Sequence, residues 1–114
     1  MLDEFNIKKL REFTNDKQGI IISTLHLLSE TLADDSRRLS NALENKDLKK
    51  IKSAAHKMKP NLDLIGYENL RAMCENIQTS DEPIEELESA ANNIIKAMPR
   101  ILSEIDTELN NIEI

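Results

Sequence analysis

Tryptophan is absent from this 114-residue sequence, and all aromatics together make up 3% of it. A core built on rings is thereby excluded, so Leu, Ile, Ala and Met must fill the interior. Glycine occurs twice and proline three times, too few for the many turns of a sandwich or barrel. The single cysteine, Cys74, excludes an internal disulfide and any multi-cysteine metal site. No apolar run approaches the ~18 residues of a membrane span, and the opening MLDEFNIKK lacks a signal-peptide pattern. The expectation is a soluble, cytoplasmic chain folding as one domain over residues 1–114, either a whole protein or a domain cut from a larger one.

What is present is charge and helical periodicity. Charged residues make up 32% of the chain. The net charge of −6 argues against nucleic acid as the main partner. The distribution is uneven: KDLKKIKSAAHKMK, residues 46–59, holds six Lys and one Asp, a local +5 against −6 overall, leaving −11 for the rest.

The periodicity predicts an all-α chain. Residues 3–13 read as a short first helix docked by Leu2, Phe5, Ile7 and Leu10. TNDKQG is a break, with Asn15 or Asp16 as N-cap for a long helix over 17–44. Its stripe is Ile21, Leu25, Leu28, Leu32, Leu39 and Leu43, with Ser36 at the missing position. Asp47 in ENKD is the expected N-cap of a third helix, whose stripe is Leu48, Ile51, Ala55, Met58, Leu62 and Ile65. Gly66 ends it by a left-handed stop or tight turn. A fourth helix over 67–78 turns Leu70, Met73 and Ile77 inward, with Cys74 buried beside Leu70 and Ile77. TSDEP is a loop, and Pro83 suits the first turn of a last helix over 83–110. Its inward residues are Leu87, Ala91, Ile94, Met98, Ile101, Ile105 and Leu109, with a slight kink at Pro99. Short connections imply an antiparallel up-and-down four-helix bundle with the short first helix capping one end. Each stripe is consumed by the bundle, so a monomer is expected.

His56 lies outside this pattern. The third helix's stripe centres between Ala55 and Met58, which puts His56 ~130° away, facing outward. Lys52 lies one turn before it, Lys59 about one turn after, and Lys49 two turns before on the same surface. Ammonium groups above and below an exposed imidazole disfavour the protonated ring and favour the neutral nucleophile. They would also stabilise an anion attached to it, and phosphate suits the arrangement best. Pro60, four residues after His56, removes the donor that the His56 carbonyl would normally use. Its compact ring leaves room for a partner to approach the imidazole; equally, it fits a simple kink or helix end. His26 is the contrasting case, also ~130° from its stripe but with no cation near it in sequence, and reads as ordinary surface.

At AHKMKPNLDLIG the sequence resembles the histidine-containing phosphotransfer domains of bacterial two-component phosphorelays. The pattern carried by His56, Lys59, the two following small or polar positions Pro60 and Asn61, and Gly66 is theirs. LRAMCENIQ is similar to the family's next helix, and the resemblance spans roughly residues 6–108. It implies that His56 accepts a phosphoryl group from an aspartyl phosphate on a receiver domain and passes it to another receiver. Lys59 would stabilise the phosphate, Lys52 would support it, and Lys49 and Lys57 would help docking. Asn61 carries an amide that could point toward the phosphate. Pro60 departs from the family's usual Gly, which puts the local helix geometry in question while keeping access to the histidine.

The resemblance further implies no cofactor of the chain's own, with Mg²⁺ supplied by the partner receiver, and no ATP-dependent kinase activity. Partners would be response-regulator receiver domains and a hybrid sensor histidine kinase, with no nucleic acid and no membrane. The sequence itself agrees in lacking a Gly-rich phosphate loop. The competing reading is a non-catalytic helical adaptor that binds an acidic partner through the basic third-helix face. Metal binding through His56 is poor, because Pro60 occupies the place of an i+4 ligand.

Overall fold

A computed structural model describes residues 3–113. Five helices follow one another: α1 (Lys8–Phe13), α2 (Gln18–Glu44), α3 (Leu48–Leu64), α4 (Glu68–Thr79) and α5 (Ile84–Glu113). The described residues contain no strand. Helices α2, α3, α4 and α5 pack each on the next, and α5 closes the ring against α2.

Contacts at the helix ends fix the directions. Gln18 at the start of α2 donates to the Ile112 carbonyl near the end of α5, while Lys46 beyond the end of α2 pairs with Glu88 near the start of α5. Lys52 and Lys59 of α3 meet Ser80 and Glu75 respectively at α4, so those two helices also run antiparallel. At ~1.5 Å per residue, thirty residues of α5 span ~45 Å, which matches the molecule's long axis of 46 Å.

In α5 all seven predicted core positions are buried. In α2 the buried set is Ile21, Leu25, Leu28, Leu32, Asp35, Leu39 and Ala42. These alternate strictly by four and three, the seam of a packed helix pair. The fifth seam position is therefore Asp35, 1% exposed, rather than the expected Ser36, and Ala42 replaces Leu43. In α3 the buried set adds Ala54, while Leu48 is half-buried. In α4 Cys74 is fully buried as expected, and Met73 only partly so. Burial pushes the Cys74 thiol up to about 11, so it stays protonated and inert.

The starts of the first two helices depart from expectation, and the last helix runs Ile84–Glu113 rather than 83–110, with Pro83 just ahead of it. The first helix begins at Lys8, not residue 3, because residues 3–6 are spent elsewhere. The Asn6 amide donates to the Ile65 carbonyl, and the Asp3 carboxylate accepts from the Asn69 and Leu70 amides at the start of α4. Leu2 lies outside the described residues. Neither Asn15 nor Asp16 caps α2; both have positive φ, 53° and 59°, and turn the chain, leaving Lys17 at the cap position. Asp47 does cap α3, accepting from the Lys50 amide. Gly66 has φ 88°, and a Cβ there would come within 2.8 Å of both the Asn6 side chain and the Glu4 carbonyl oxygen. Both prolines expected to perturb helices, Pro60 and Pro99, stand inside α3 and α5, which run unbroken through them.

Candidate functional site

The basic stretch becomes the start of α3, and the helix sorts its side chains onto two edges. His56 is exposed, as turn angles require, and its ring makes no hydrogen bond or ion pair among the described residues. The two lysines flanking it lean toward α4. Lys59 Nζ donates to Glu75 Oε2 at 2.5 Å and to Gln78 Oε1 at 3.3 Å. Lys52 Nζ donates to the Ser80 carbonyl just past the end of α4. An imidazole with an ammonium one turn to either side thus sits on the seam between α3 and α4.

Glu75 responds to this setting. Its hydrogen bond to Lys59 and the charge of Lys59 hold its carboxyl below the usual range, with smaller help from Arg71 and His56.

The other candidates fall elsewhere. Lys49 is exposed two turns before His56 on the same outer surface. Lys57 lines the opposite edge, in a groove between α2 and α3 shared with Arg38, Asn41, Asn45, Lys50 and Ser53. Asn61 is four residues beyond Lys57, half-buried, and ~140° around the helix from His56, so the helix carries its amide away from the imidazole. Pro60 is exposed one turn beyond His56. Gly66 lies past the end of α3, where its role is the turn and the close passage of residues 4–6. His26 sits on α2 with Nε2 at 2.9 Å from a Glu113 carboxylate oxygen, whereas His56 has no carboxylate bonded to it.

Sequence reading missed Glu75, Gln78 and Ser80. The spacing of three between Glu75 and Gln78 places them on one side of a helix. Leu70, Cys74 and Ile77 give the inward face of α4, but which flank of that face meets α3 is set by tertiary packing that the sequence does not display. Among the described residues no group of three His, Cys, Asp or Glu side chains could hold a metal ion, and no helix is long and apolar enough to cross a membrane.

The helical bundle is shared with a known structure. The sequence model of the Hpt domain matches residues 23–113. The chain belongs to the Hpt domain family. The crystal structure of the HPT domain from the Hpt sensor hybrid histidine kinase of Shewanella superposes on this fold with a TM-score of 0.82. The likeness covers 94% of each chain at 19% sequence identity. No curated protein matches the chain in sequence. Family membership gives this Hpt domain a phosphotransfer role in two-component signalling.

Proposed function

We propose that His56 is the phosphoacceptor of a phosphorelay intermediate, taking the group from an aspartyl phosphate on one receiver domain and passing it to another. The observation that carries this is the exposed, unbonded His56 ring with Lys59 one turn away on the α3–α4 seam. In the acceptor step a ring nitrogen forms the N–P bond and the acyl P–O bond breaks. The receiver regains its carboxylate, and the imidazole proton is released to solvent. The reverse sequence delivers the group to the next receiver.

Lys59 supplies a charge-assisted donor to the phosphoryl oxygens, and Lys52 adds positive potential from the preceding turn. Lys49 and Lys57 help seat the acidic surroundings of a receiver's phosphorylation site. The Mg²⁺ that phosphoryl transfer requires is expected with the receiver rather than from this chain. An exposed site without a nucleotide loop accords with a carrier whose chemistry is completed by its partner.

The test is incubation of the purified chain with a phosphorylated receiver and Mg²⁺, comparing wild type with His56→Gln. Acid-labile, alkali-stable label on the wild type alone is the expected result. A folded wild type that takes no label from a broad set of active receivers would leave the basic face as an adaptor surface and His56 incidental.

A further inference from the structure

Lys59, one turn beyond His56, is suited to bind a phosphoryl oxygen directly, and it is already engaged. Its ammonium lies 2.5 Å from the Glu75 carboxylate and 3.3 Å from the Gln78 side-chain oxygen. Glu75 is not a distant surface acid whose pairing is incidental. It sits on α4, the helix packed against α3, and its carboxylate accepts the Lys59 hydrogen bond. Phosphorylation of His56 would bring close to two negative charges into this space. Two anions would then compete for one ammonium, with Glu75 holding it beforehand.

Resting on the phosphoacceptor reading of His56, we propose that Glu75 is a positioning residue that withholds Lys59 from the phosphoryl group and so shortens the life of phospho-His56. A relay carrier has to give its cargo up, and a lysine fully committed to the phosphoryl group would retain it. Glu75 draws the ammonium toward α4, while Gln78 accepts a second of its three hydrogens. The phosphohistidine is left with partial charge compensation, hence with a higher tendency to transfer. Among the described residues no other carboxylate pairs with Lys59: Glu68 pairs with Lys9, and Asp63 with Lys9 and Arg71.

The test needs no receiver. Potassium phosphoramidate phosphorylates histidine directly: the ring nitrogen bonds to phosphorus while the P–N bond of the donor breaks, and ammonia leaves with the imidazole proton. After the donor is removed, the half-life of phospho-His56 is followed by phosphate-affinity electrophoresis or ³¹P NMR. Wild type, Glu75→Gln, Lys59→Ala and the double variant are compared, with circular dichroism confirming the bundle. Release of one surface ion pair corresponds to a lengthening of the half-life by roughly two- to fivefold in Glu75→Gln. That gain should shrink in the Lys59→Ala background, the signature of coupling through the lysine. Glu75→Ala should behave as Glu75→Gln does, which covers the case of one variant folding poorly.

An unchanged or shortened half-life in the folded Glu75 variants overturns the proposal. So does a gain of equal size without Lys59, which would reduce Glu75 to simple charge repulsion. Failure of the wild type to be phosphorylated on His56 is a separate outcome, and sinks the phosphoacceptor reading along with this one.

Discussion

Asp35 is the residue whose position says most about the cost of this core. It fills a seam position of α2 between Leu32 and Leu39, with one carboxylate oxygen 3.3 Å from Arg38 Nη1 and the other buried without a partner. Burial pushes its carboxyl above the ordinary 3.8, against the pull of Arg38 and Lys57. The folded state therefore holds this proton more tightly than the unfolded chain. Stability falls as pH rises from its unfolded value through the raised folded one. Asp35→Leu should raise the stability measured by urea unfolding at pH 7 by about 1–2 kcal/mol. The gain should fade toward pH 3, where Asp35 is protonated in both states. Glu75 has the opposite sign: its lowered value adds stability above its unfolded pKa that is lost as pH falls through the folded one.

Two further residues carry separable predictions. Gly66 combines φ 88° with a close approach of the Glu4 backbone. Gly66→Ala should therefore cost about 2 kcal/mol or more in thermal or urea unfolding. Lys59→Ala removes a charge-assisted donor from the seam and leaves the core intact. Transfer from a phosphorylated receiver should slow by roughly tenfold or more, while the melting temperature barely moves.

At the scale of the element, α3 shows how far sequence reasoning reaches. The stripe, the Asp47 cap and the outward angle of His56 were all legible, because helical periodicity and capping are local. The whole inward face of α5 was legible for the same reason. What was not legible depends on distant chain. Asp3 takes the amides at the start of α4, so residues 3–6 do not join the first helix. Asn15 and Asp16, good caps by type, are instead held at positive φ, with Asp16 paired to Arg11. The place of Lys59 one turn beyond His56 was legible, but its partners Glu75 and Gln78 come from the rotation of α4 against α3. Asn61 lies ~140° around α3 from His56, because adjacency in a motif is not adjacency on a helix.

Pro60 belongs to the same element. Helix α3 continues through it to Leu64, which excludes the reading of a helix end. An interior proline still removes one hydrogen bond and crowds the preceding turn. Pro60→Ala should stabilise the fold by about 1–3 kcal/mol in thermal unfolding. With a small side chain retained beside His56, phosphoryl acceptance should stay within about twofold of wild type if access is what the position protects.

Across the whole molecule, the uneven charge has a kinetic meaning. The chain carries −6 while residues 46–59 carry a local +5. Helix α3 therefore presents a positive band on an otherwise acidic body. A partner with a negative site is drawn to that band and repelled elsewhere. Association with a receiver, measured by stopped-flow, should slow as salt rises from ~10 mM to ~300 mM, over which the screening length falls from ~30 Å to several Å. Lys49→Glu and Lys57→Glu should flatten that dependence.

The tie between residues 3–6 and the α3–α4 turn makes that segment a load path. Asp3 grips the first turn of α4 and Asn6 grips Ile65. Tension applied ahead of residue 3 would therefore arrive first at the N-terminus of α4. That helix carries Glu75 and Gln78, whose grip on Lys59 would feel any slide along α3. Residues 3–6 and the surroundings of His56, some fifty residues apart in sequence, are thus joined through one helix.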